Sequence, residues 1–332
     1  MGVKNILVTG GAGYVGSHVL KKLAENGCNA VAYDNLSQGH RKAVDKNAVF
    51  VKGDLKDKKK LGIVFKKYKI DAIMHLAACV SVEESVKNPE KYYANNVSYG
   101  INLLNIIKSS RAKYIIFSSS SIVYGSKPKM PLSEDDETKP KNPYGKTKLI
   151  FENMLKQADI RYGIKSISLR YFNAAGADIN SDIGECHHPE THLIPNVLSV
   201  ALGHKKQIDV FGNDYKTKDG TAVRDYVHVS DIADGHVAAL DALYNGHKTD
   251  IYNMGNEKGH SVLEIIKAAG QVSGKNIPMS IKARRFGDVP VAVSDSKKIN
   301  STLGWKPKYS DIKTIIRTAW NWHQKHPNGF RK

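Results

Sequence analysis

Cysteine and long apolar runs are scarce in this sequence. Among 332 residues there are 3 cysteines, which lie far apart without a CxxC spacing (Cys28, Cys79, Cys186). This usage argues against a disulfide framework and is typical of a reducing compartment, so we expect a cytoplasmic protein. No segment approaches the roughly 20 apolar residues that span a bilayer. The N-terminal MGVKNILVTGG runs straight into a strand-like segment, so neither a cleavable signal nor a membrane association is predicted.

Acidic residues are also scarce relative to basic ones. The chain has 50 Lys and Arg against 32 Asp and Glu, which gives a formal net charge of +18. A basic protein can bind nucleic acid. The basic runs, such as KDKKK (56–60), have no interleaved aromatic residues and match no nucleic-acid-binding module. We therefore interpret the charge as a solvated, lysine-rich surface that favours small anionic ligands, and we predict no nucleic-acid partner.

The first half of the chain alternates short apolar runs with amphipathic segments of helical length, including 89–109 and 143–162. This rhythm is typical of βαβ units with a parallel sheet between two helical layers. The predicted fold class is α/β, with a Rossmann-type doubly wound sheet. The predicted strands span 5–9, 30–34, 49–52, 72–76, 114–118 and 166–170.

The rhythm loosens after about Asn173, where a stretch containing Pro, His and Gly (179–192) suggests a long loop. We predict a nucleotide-binding lobe over 1–174 and a smaller α/β substrate lobe over 175–332. The segment 225–245, a strand followed by a helix, is expected to return and pack on the first lobe.

A glycine-rich turn follows the first predicted strand. In TGGAGYVGSH, Gly10, Gly13 and Gly16 stand where a strand turns into a helix and where backbone N–H groups can approach a pyrophosphate. Asp34 ends the second strand, 18 residues after Gly16. Its carboxylate can accept hydrogen bonds from an adenosine ribose and would repel a 2′-phosphate, so NAD is favoured over NADP. Asp54, after the third strand, is placed to reach the adenine.

The stretch NPYGKTK puts Tyr144 and Lys148 four residues apart, on one face of a predicted helix. A free phenol has a pKa near ~10, and a neighbouring cation lowers it. Lys148 and an oxidised nicotinamide would together make Tyr144 a general base for a sugar hydroxyl. The strand in IIFSSSSIVYG places Ser120 beyond its carboxyl end, where it can relay that proton.

The segment ECHHPETH gathers possible metal ligands (Cys186, His187, His188, Glu190 and His192). Their spacing matches neither a helical HExxH motif nor a zinc knuckle. We interpret the segment as part of a substrate loop and predict no metal.

Several motifs in order carry a family resemblance. With TGGAGYVGSH, DNLS, SSSSIVYG and PYGKTK, the sequence resembles the extended short-chain dehydrogenase/reductase superfamily. Further segments make it similar, nearly end to end, to the UDP-sugar 4-epimerases of the NAD-dependent epimerase/dehydratase family: HLAACVSVEES, YYANNVSYG, LRYFNAAGA, HHPETHLIP, FGNDYKTKDGTAVRDYVHV, RRFGDVP and AWNWHQKHPNGF. The resemblance implies an isomerase that interconverts UDP-glucose and UDP-galactose with tightly bound NAD. It also implies a homodimer that packs through 89–109 and 143–162.

The resemblance assigns roles by position. Tyr144 matches the base, Lys148 its electrostatic partner and Ser120 the relay hydroxyl, and all three border cofactor or substrate. The other implied cofactor contacts are Gly10, Gly13, Tyr14, Val15, Gly16, Asp34, Asn35, Leu36, Ser37, Gln38, Gly39, Asp54, Leu55, Leu76, Ala77, Ala78, Val80, Asn96, Ser118, Tyr171 and Phe172. The implied UDP-sugar contacts are Asn173, His192, Leu193, Asp209, Val210, Phe211, Arg224, Arg285, Asp288 and Ala292. Arg224 and Arg285 would clamp the diphosphate, which suits a guanidinium.

Two positions depart from the family pattern. Val80 stands where some members have a lysine that touches the cofactor. Ala292, four residues after Asp288, stands where many members specific for unsubstituted hexoses have a tyrosine. We expect the small residue to leave room for a 2-acetamido group, so that UDP-GlcNAc and UDP-GalNAc are also interconverted.

Three other functions compete with this interpretation. A 4-epimerase of UDP-glucuronate or of a UDP-pentose stays open. A sugar-nucleotide 4,6-dehydratase commonly has an Asp-Glu pair where this chain has Ser121 and Ile122. A non-catalytic NAD sensor would not need the set formed by Tyr144, Lys148 and Ser120.

Overall fold

A computed structural model of the protein describes residues 4–125, 130–285 and 287–330. The strands of these ranges, numbered in chain order, are β1 (Asn5–Thr9), β2 (Asn29–Asp34), β3 (Val49–Lys52), β4 (Ala72–His75), β5 (Tyr114–Ser120), β6 (Lys165–Tyr171), β7 (Asn173–Ala175), β8 (Ile208–Phe211), β9 (Val223–His228), β10 (Asp250–Met254), β11 (Gly259–Ser261), β12 (Met279–Lys282) and β13 (Val291–Ala292). The helices are α1 (Tyr14–Glu25), α2 (Lys58–Lys67), α3 (Val82–Lys87), α4 (Pro89–Tyr93), α5 (Tyr99–Lys108), α6 (Pro143–Tyr162), α7 (Leu193–Ala201), α8 (Val229–Tyr244), α9 (Val262–Ser273), α10 (Lys297–Leu303) and α11 (Ile312–Lys325).

The central sheet is fully parallel, with strand order β3-β2-β1-β4-β5-β6-β10. This confirms the predicted Rossmann-type class. All six predicted strands are present, and β5 and β6 extend one or two residues past their predicted ends. The seventh strand, β10, was not predicted from the sequence. The order reverses between β1 and β4, and ligands of such sheets bind beyond the strands' carboxyl ends at this reversal.

Helix α6 carries the tyrosine–lysine motif and has clear boundary signals. Asn142 caps its start by accepting a 2.8 Å hydrogen bond from the Gly145 amide, and Pro143 occupies the first helical position. Gly163 ends it in the left-handed region, with φ of 65°. The helix therefore covers the predicted range, and its buried face packs against β5 and β6.

The segment predicted as one helix over 89–109 is divided into three parts. Helices α4 and α5 are separated by a π-helical turn over Ala94–Ser98. Such turns are rare in proteins as a whole, and those that occur often lie at functional sites. This one carries the buried side chain of Asn96.

Helix α8 lies against the central sheet, whereas the preceding strand β9 belongs to a separate sheet with β7, β11 and β13. Helix α8 packs against α1 and the β5–β6 face. Ile232 and Leu240 share one apolar cluster with Ile6 and Val8. A second cluster fills the opposite side of the sheet and contains Phe151 of α6.

The remaining elements form a smaller lobe around α7, α9 and α11, with its own apolar cluster. Strand β7 follows β6 almost directly and pairs with β9 in parallel, with Asn173 opposite Tyr226. The carboxyl end of β6 thus leads straight into the second lobe. Within the described ranges, no helix has the length and apolar character that crossing a membrane would require.

Candidate active site

The glycine turn between β1 and α1 is shaped by close backbone contacts. Gly10 has a φ of 73°, and a Cβ there would lie 2.7 Å from the Ala77 nitrogen. A Cβ on Gly16 would overlap the carbonyl oxygen of Gly10. Gly13, which has no side chain, occupies the cap position of α1, so the first N–H groups of the helix face outward without a capping side chain. A helix start of this kind suits an anion such as a pyrophosphate.

Asp34 ends β2 beside this turn. Its carboxylate accepts hydrogen bonds from the backbone N–H groups of Ala12 (3.0 Å) and Leu36 (2.8 Å). Burial raises the pKa of Asp34, while these two hydrogen bonds lower it. Leu36 has a φ of 62°, and a Cβ on Gly39 would lie 2.8 Å from the Ala12 carbonyl carbon. The 35–39 segment is therefore packed tightly against the glycine turn.

Asp54 follows β3, and its carboxylate accepts a 2.9 Å hydrogen bond from the Asn35 side-chain amide. Adjacent strand ends therefore bring together the glycine turn, Asp34 and the Asn35–Asp54 pair. The outward N–H groups would take the pyrophosphate of NAD, and the carboxylates would take the adenosine part. The residues present fit NAD.

Ser120 and Tyr144 meet where β5 ends and α6 begins. Burial raises the pKa of the Tyr144 phenol, and a side-chain interaction with the Ser120 hydroxyl opposes this rise. The ring of Tyr92 lies edge-on to the ring of Tyr144, with 6.5 Å between centroids. The structure thus brings together two of the three predicted catalytic side chains.

Lys148 is buried, with 4% of its surface exposed. Its Nζ donates a 2.8 Å hydrogen bond to the Ser118 carbonyl oxygen and lies 5.8 Å from the centre of the Tyr144 ring. Burial lowers the pKa of Lys148 to about 7, although the nearby Glu152 carboxylate raises it and so opposes the shift. The ammonium therefore lies beside the phenol ring, and it can lose its charge near neutral pH.

The pKa of the Tyr144 phenol bears on the prediction that Lys148 and an oxidised nicotinamide together bring it toward neutral pH. Within the protein itself, burial raises the pKa of Tyr144, the neighbouring Tyr171 raises it further, and the interaction with Ser120 opposes them. Desolvation disfavours the phenolate more than the nearby groups favour it.

Asn96 holds the loop after β4 against helix α6. Its side-chain amide donates to the Cys79 carbonyl (3.0 Å) and to the Thr147 hydroxyl (3.1 Å), and its oxygen accepts from the Cys79 amide (2.8 Å). Thr147 in turn donates to the Tyr144 carbonyl oxygen at 2.7 Å. Asn96, predicted as a cofactor contact, thus links the loop of Leu76, Ala77, Ala78 and Val80 to Tyr144. Val80 itself is 49% exposed.

A buried ion pair under α6 was missed by the sequence analysis. Arg170 of β6 donates two hydrogen bonds to the Glu152 carboxylate, at 2.9 and 2.6 Å, and a third to the Tyr124 hydroxyl. Ser119 also donates to Glu152, at 2.6 Å. Glu152 lies one helical turn beyond Lys148, so the sequence could have indicated that the two share a face of α6. That the partner of Glu152 is Arg170 depends on how the strands pair and is not visible in the sequence.

Two further buried polar groups border the strand ends. The His75 ring accepts or donates a 2.7 Å hydrogen bond with Thr9, and burial together with Lys148 lowers the pKa of His75 to about 3. Ser118 hydrogen-bonds to His236 at 2.8 Å, and burial raises the pKa of the neighbouring Tyr171 phenol. Phe172 is buried in a small apolar cluster with Tyr124. These residues line the base of the site.

The predicted UDP contacts Phe211, Arg224, Arg285 and Asp288 cluster in the second lobe. Arg285 donates to Asp288 at 2.9 Å, and its guanidinium carbon lies 4.9 Å from the centre of the Phe211 ring. Arg224 lies 3.8 Å from the same Asp288 and donates to the Val289 carbonyl oxygen at 2.8 Å. Two guanidinium groups around one carboxylate and an aromatic face can hold a nucleoside diphosphate.

Other predicted substrate residues border this cluster. Asn173 donates to the Asp225 carbonyl oxygen at 2.8 Å, next to Arg224. Ala292 pairs with Arg224 in the register of β13 and β9. Asp209 and Val210 belong to β8, the strand that ends in Phe211. The structure also brings in Arg284, which was missed; its guanidinium carbon lies 4.2 Å from the centre of the Tyr215 ring.

His192 occupies the position before the first residue of α7, Leu193, and its side chain does not cap the helix. The structure brings His192 together with Glu185, His187 and Glu190. Within the described residues this set excludes Cys186 and His188, which the sequence spacing had grouped with them.

Comparison with known proteins agrees with this geometry. The NAD dependent epimerase/dehydratase family matches residues 6–255. A UDP-glucose 4-epimerase of Lacticaseibacillus casei is 49% identical over 325 residues, which cover 98% of each chain. A crystal structure of a UDP-glucose 4-epimerase superposes with a TM-score of 0.97 at 46% identity, covering 99% of this chain and 100% of that one. A UDP-glucose 4-epimerase from Brucella ovis in complex with NAD has a TM-score of 0.93 at 44% identity, covering 96% and 98%.

The family match extends over most of the chain, and the relatives match nearly end to end. The same strand ends that carry the glycine turn also carry Ser120, Tyr144 and Lys148. This chain belongs to the NAD-dependent epimerase/dehydratase family.

Proposed function

We propose that this chain is an NAD-dependent UDP-sugar 4-epimerase that interconverts UDP-glucose and UDP-galactose. The observation that carries the proposal is the position of the buried Lys148 Nζ 5.8 Å from the centre of the Tyr144 ring, next to the carboxyl end of β5 that carries Ser120. Relatives of this chain that are 44–49% identical are UDP-glucose 4-epimerases. A sensor without turnover would not need this arrangement.

The chain's own residues would handle the proton of the sugar's 4-hydroxyl. NAD, when bound, supplies reversible acceptance of the C4 hydride, and its oxidised ring supplies positive charge. Tyr144 takes the hydroxyl proton, directly or through Ser120, and later returns it. Since burial raises the pKa of Tyr144, proton removal depends on nearby positive charge, to which Lys148 contributes. Asn96 bonds both to the loop after β4 and to Thr147 of α6, and so fixes the position of Tyr144 relative to that loop.

Inverting C4 requires the sugar to present either of its faces while the nucleotide stays fixed. Arg224 and Arg285 would grip the diphosphate, and Asp288 would orient the uridine ribose. The aromatic face of Phe211 offers an apolar surface beside them. The small side chain of Ala292, next to Arg224, leaves space at the sugar end. For this reason we propose that 2-acetamido sugars are also accepted.

We further propose a cytoplasmic homodimer that packs through α5 and α6. Ile101 of α5 is 41% exposed and Ile150 of α6 is 36% exposed, both on the first lobe. The free cysteines Cys28, Cys79 and Cys186 are consistent with a reducing compartment. Sedimentation of the wild type and of Ile101→Asp/Ile150→Asp tests the dimer: the double variant should be monomeric, and an unchanged sedimentation coefficient would contradict this interface.

Isotope retention tests the catalytic proposal. The purified protein, without added coenzyme, should convert UDP-galactose carrying deuterium at C4 into UDP-glucose that keeps the deuterium there. Denaturing the protein should release NAD, detected by chromatography. Loss of the label to solvent, or to an added pool of coenzyme, would overturn the mechanism. A panel containing UDP-glucuronate and UDP-pentoses tests the substrate, and faster turnover of one of these would assign a different sugar.

A further inference from the structure

Four side chains of the 185–192 loop converge on one point. They are Glu185, His187, Glu190 and His192, and one potential ligand atom of each lies within 4.8 Å of those of the others. The cluster adjoins the nucleotide cradle, because the His187 ring lies edge-on to that of Tyr14 with 6.3 Å between centroids. The proposed epimerase mechanism makes no use of this cluster as a unit.

The distances between the imidazole nitrogens and the carboxylate oxygens of the cluster are short. His187 Nδ1 lies 3.2 Å from Glu185 Oε1 and 3.6 Å from Glu190 Oε2. His192 Nδ1 lies 2.7 Å from the same Glu185 oxygen and 3.0 Å from the other Glu190 oxygen, Oε1. Ligand atoms about 2.0–2.1 Å from a tetrahedral zinc ion are about 3.3 Å apart. Both imidazole nitrogens therefore stand between the same two carboxylates near coordination spacing.

The ligand set is chemically suited to a divalent cation. Metal binding requires neutral imidazoles, and the two carboxylates would then carry a charge of −2, which one divalent ion neutralises. His187 Nδ1 is buried and has no hydrogen bond of good geometry within the described structure. The Glu190 carboxylate is held by the backbone N–H groups of Thr191 and His192, both at 2.8 Å. Outer hydrogen bonds of this kind orient metal ligands.

The cluster is accessible from outside. A cavity of about 460 Å³ borders it, lined by Glu185, Cys186, His187, His188, Glu190, Trp322 and His323 among others. A cation could enter through this cavity without unfolding of the loop. Access of this kind is one requirement of a metal site.

We propose that Glu185, His187, Glu190 and His192 bind one divalent transition-metal ion, with zinc as the best match. Imidazole and carboxylate ligands in a tetrahedron are typical of zinc. Since four protein ligands fill the coordination sphere, the ion is structural. It fixes the loop that leads into α7, between the cofactor cradle and the proposed substrate lobe. The proposal does not depend on the reaction, because its readouts are metal content, a spectrum and thermal stability.

The test uses the full-length chain without an affinity tag, treated with a chelator and dialysed. Zinc titration followed by calorimetry should show about one high-affinity ion per chain, and saturating zinc should raise the Tm. Cobalt(II) at the same site should give the intense visible absorption of a tetrahedral ion. His187→Ala and Glu190→Gln should each weaken affinity by more than the roughly 10–100-fold that loss of an outer-shell partner costs.

The neighbouring His188→Ala serves as the matched control and should keep full affinity, the cobalt spectrum and the zinc-dependent rise in Tm. Circular dichroism shows whether each variant is folded. If the wild type binds no tight ion, the cluster is a set of ion pairs and the proposal is wrong. It is equally wrong if His187→Ala and Glu190→Gln bind zinc as tightly as His188→Ala does, because the metal then lies elsewhere.

Discussion

The Nζ of Lys148 donates a 2.8 Å hydrogen bond to the carbonyl oxygen of Ser118. This bond ties Lys148 of α6 to the strand that also carries Ser120, so the lysine has a structural anchor as well as its proposed electrostatic role. The ammonium lies 5.8 Å from the centre of the Tyr144 ring and 4.9 Å from that of Phe117. Its position beside two aromatic faces and away from water explains why its charge is easily lost.

Removing the Tyr144 hydroxyl should abolish most of the activity without affecting the fold. In Tyr144→Phe the ring packing against Tyr92 remains, but the proton acceptor is lost. We expect kcat/KM for UDP-galactose to fall by at least the roughly 10²–10⁴-fold that a general acid–base group contributes. Tyr162→Phe, at the exposed end of the same helix, should be unchanged. Retention of NAD and an unchanged Tm serve as controls for folding, and near-normal turnover of Tyr144→Phe would contradict the assigned role.

The buried lysine should make the stability of the cofactor-free protein depend on pH. Lys148 has a pKa of about 7 in the fold against an ordinary 10.5. Between these values the unfolded chain binds a proton that the folded chain lacks, so this group's contribution to stability rises with pH. Below about pH 7 the folded chain must bury the charge. Lys148→Met avoids that cost, so its stability advantage should be greatest there and should shrink as the pH rises.

Urea unfolding at pH 7, 8 and 9 measures this effect as the difference between variant and wild type. The difference should fall by at most about 1.4 kcal/mol per pH unit. Lys146→Met, at an exposed position of the same helix, should give a difference that does not change with pH. A constant difference for Lys148→Met as well would show that Lys148 keeps its ordinary pKa in the fold.

The sequence was sufficient for the fold class and for the order of the motifs, because local patterns decide both. The glycine turn, the cap at Asn142 and the six strands of the first lobe follow from residues near each other in the chain. Strand β10 and the Glu152–Arg170 pair depend on contacts between distant segments, so no local pattern indicates them. The four-residue spacing of Tyr144 and Lys148 is visible in the sequence, whereas the burial that raises the pKa of Tyr144 is a property of the packed structure.

The Glu152 carboxylate should help Lys148 to keep its charge. Glu152 raises the pKa of Lys148, so Glu152→Gln should let the lysine lose its proton at lower pH. The alkaline limb of the kcat/KM profile should therefore move to lower pH. Since Arg170 is left buried without its partner, stability should also fall, by about 3–5 kcal/mol.

Ser119→Ala is the matched variant, because it removes one hydrogen bond to Glu152 and keeps the charge. Its Tm should fall, but its alkaline limb should stay in place. A purely structural role for Glu152 would lower the Tm of both variants and leave both pH profiles alike. Comparing the two pH profiles therefore shows whether Glu152 acts on Lys148 through its charge or only supports the packing of the site.

The side chain at position 292 should decide whether 2-acetamido sugars are accepted. Ala292 lies beside Arg224 in the paired strands β13 and β9, so a tyrosine there would occupy space at the proposed sugar end. Ala292→Tyr should lower kcat/KM for UDP-GlcNAc by about 10–200-fold relative to UDP-glucose, which is the usual range for a pocket that accepts or rejects a small group. Ala292→Ser should leave the ratio of the two substrates unchanged. If the wild type has negligible activity on UDP-GlcNAc, or if Ala292→Tyr leaves the ratio as it was, the sugar specificity is set by other residues.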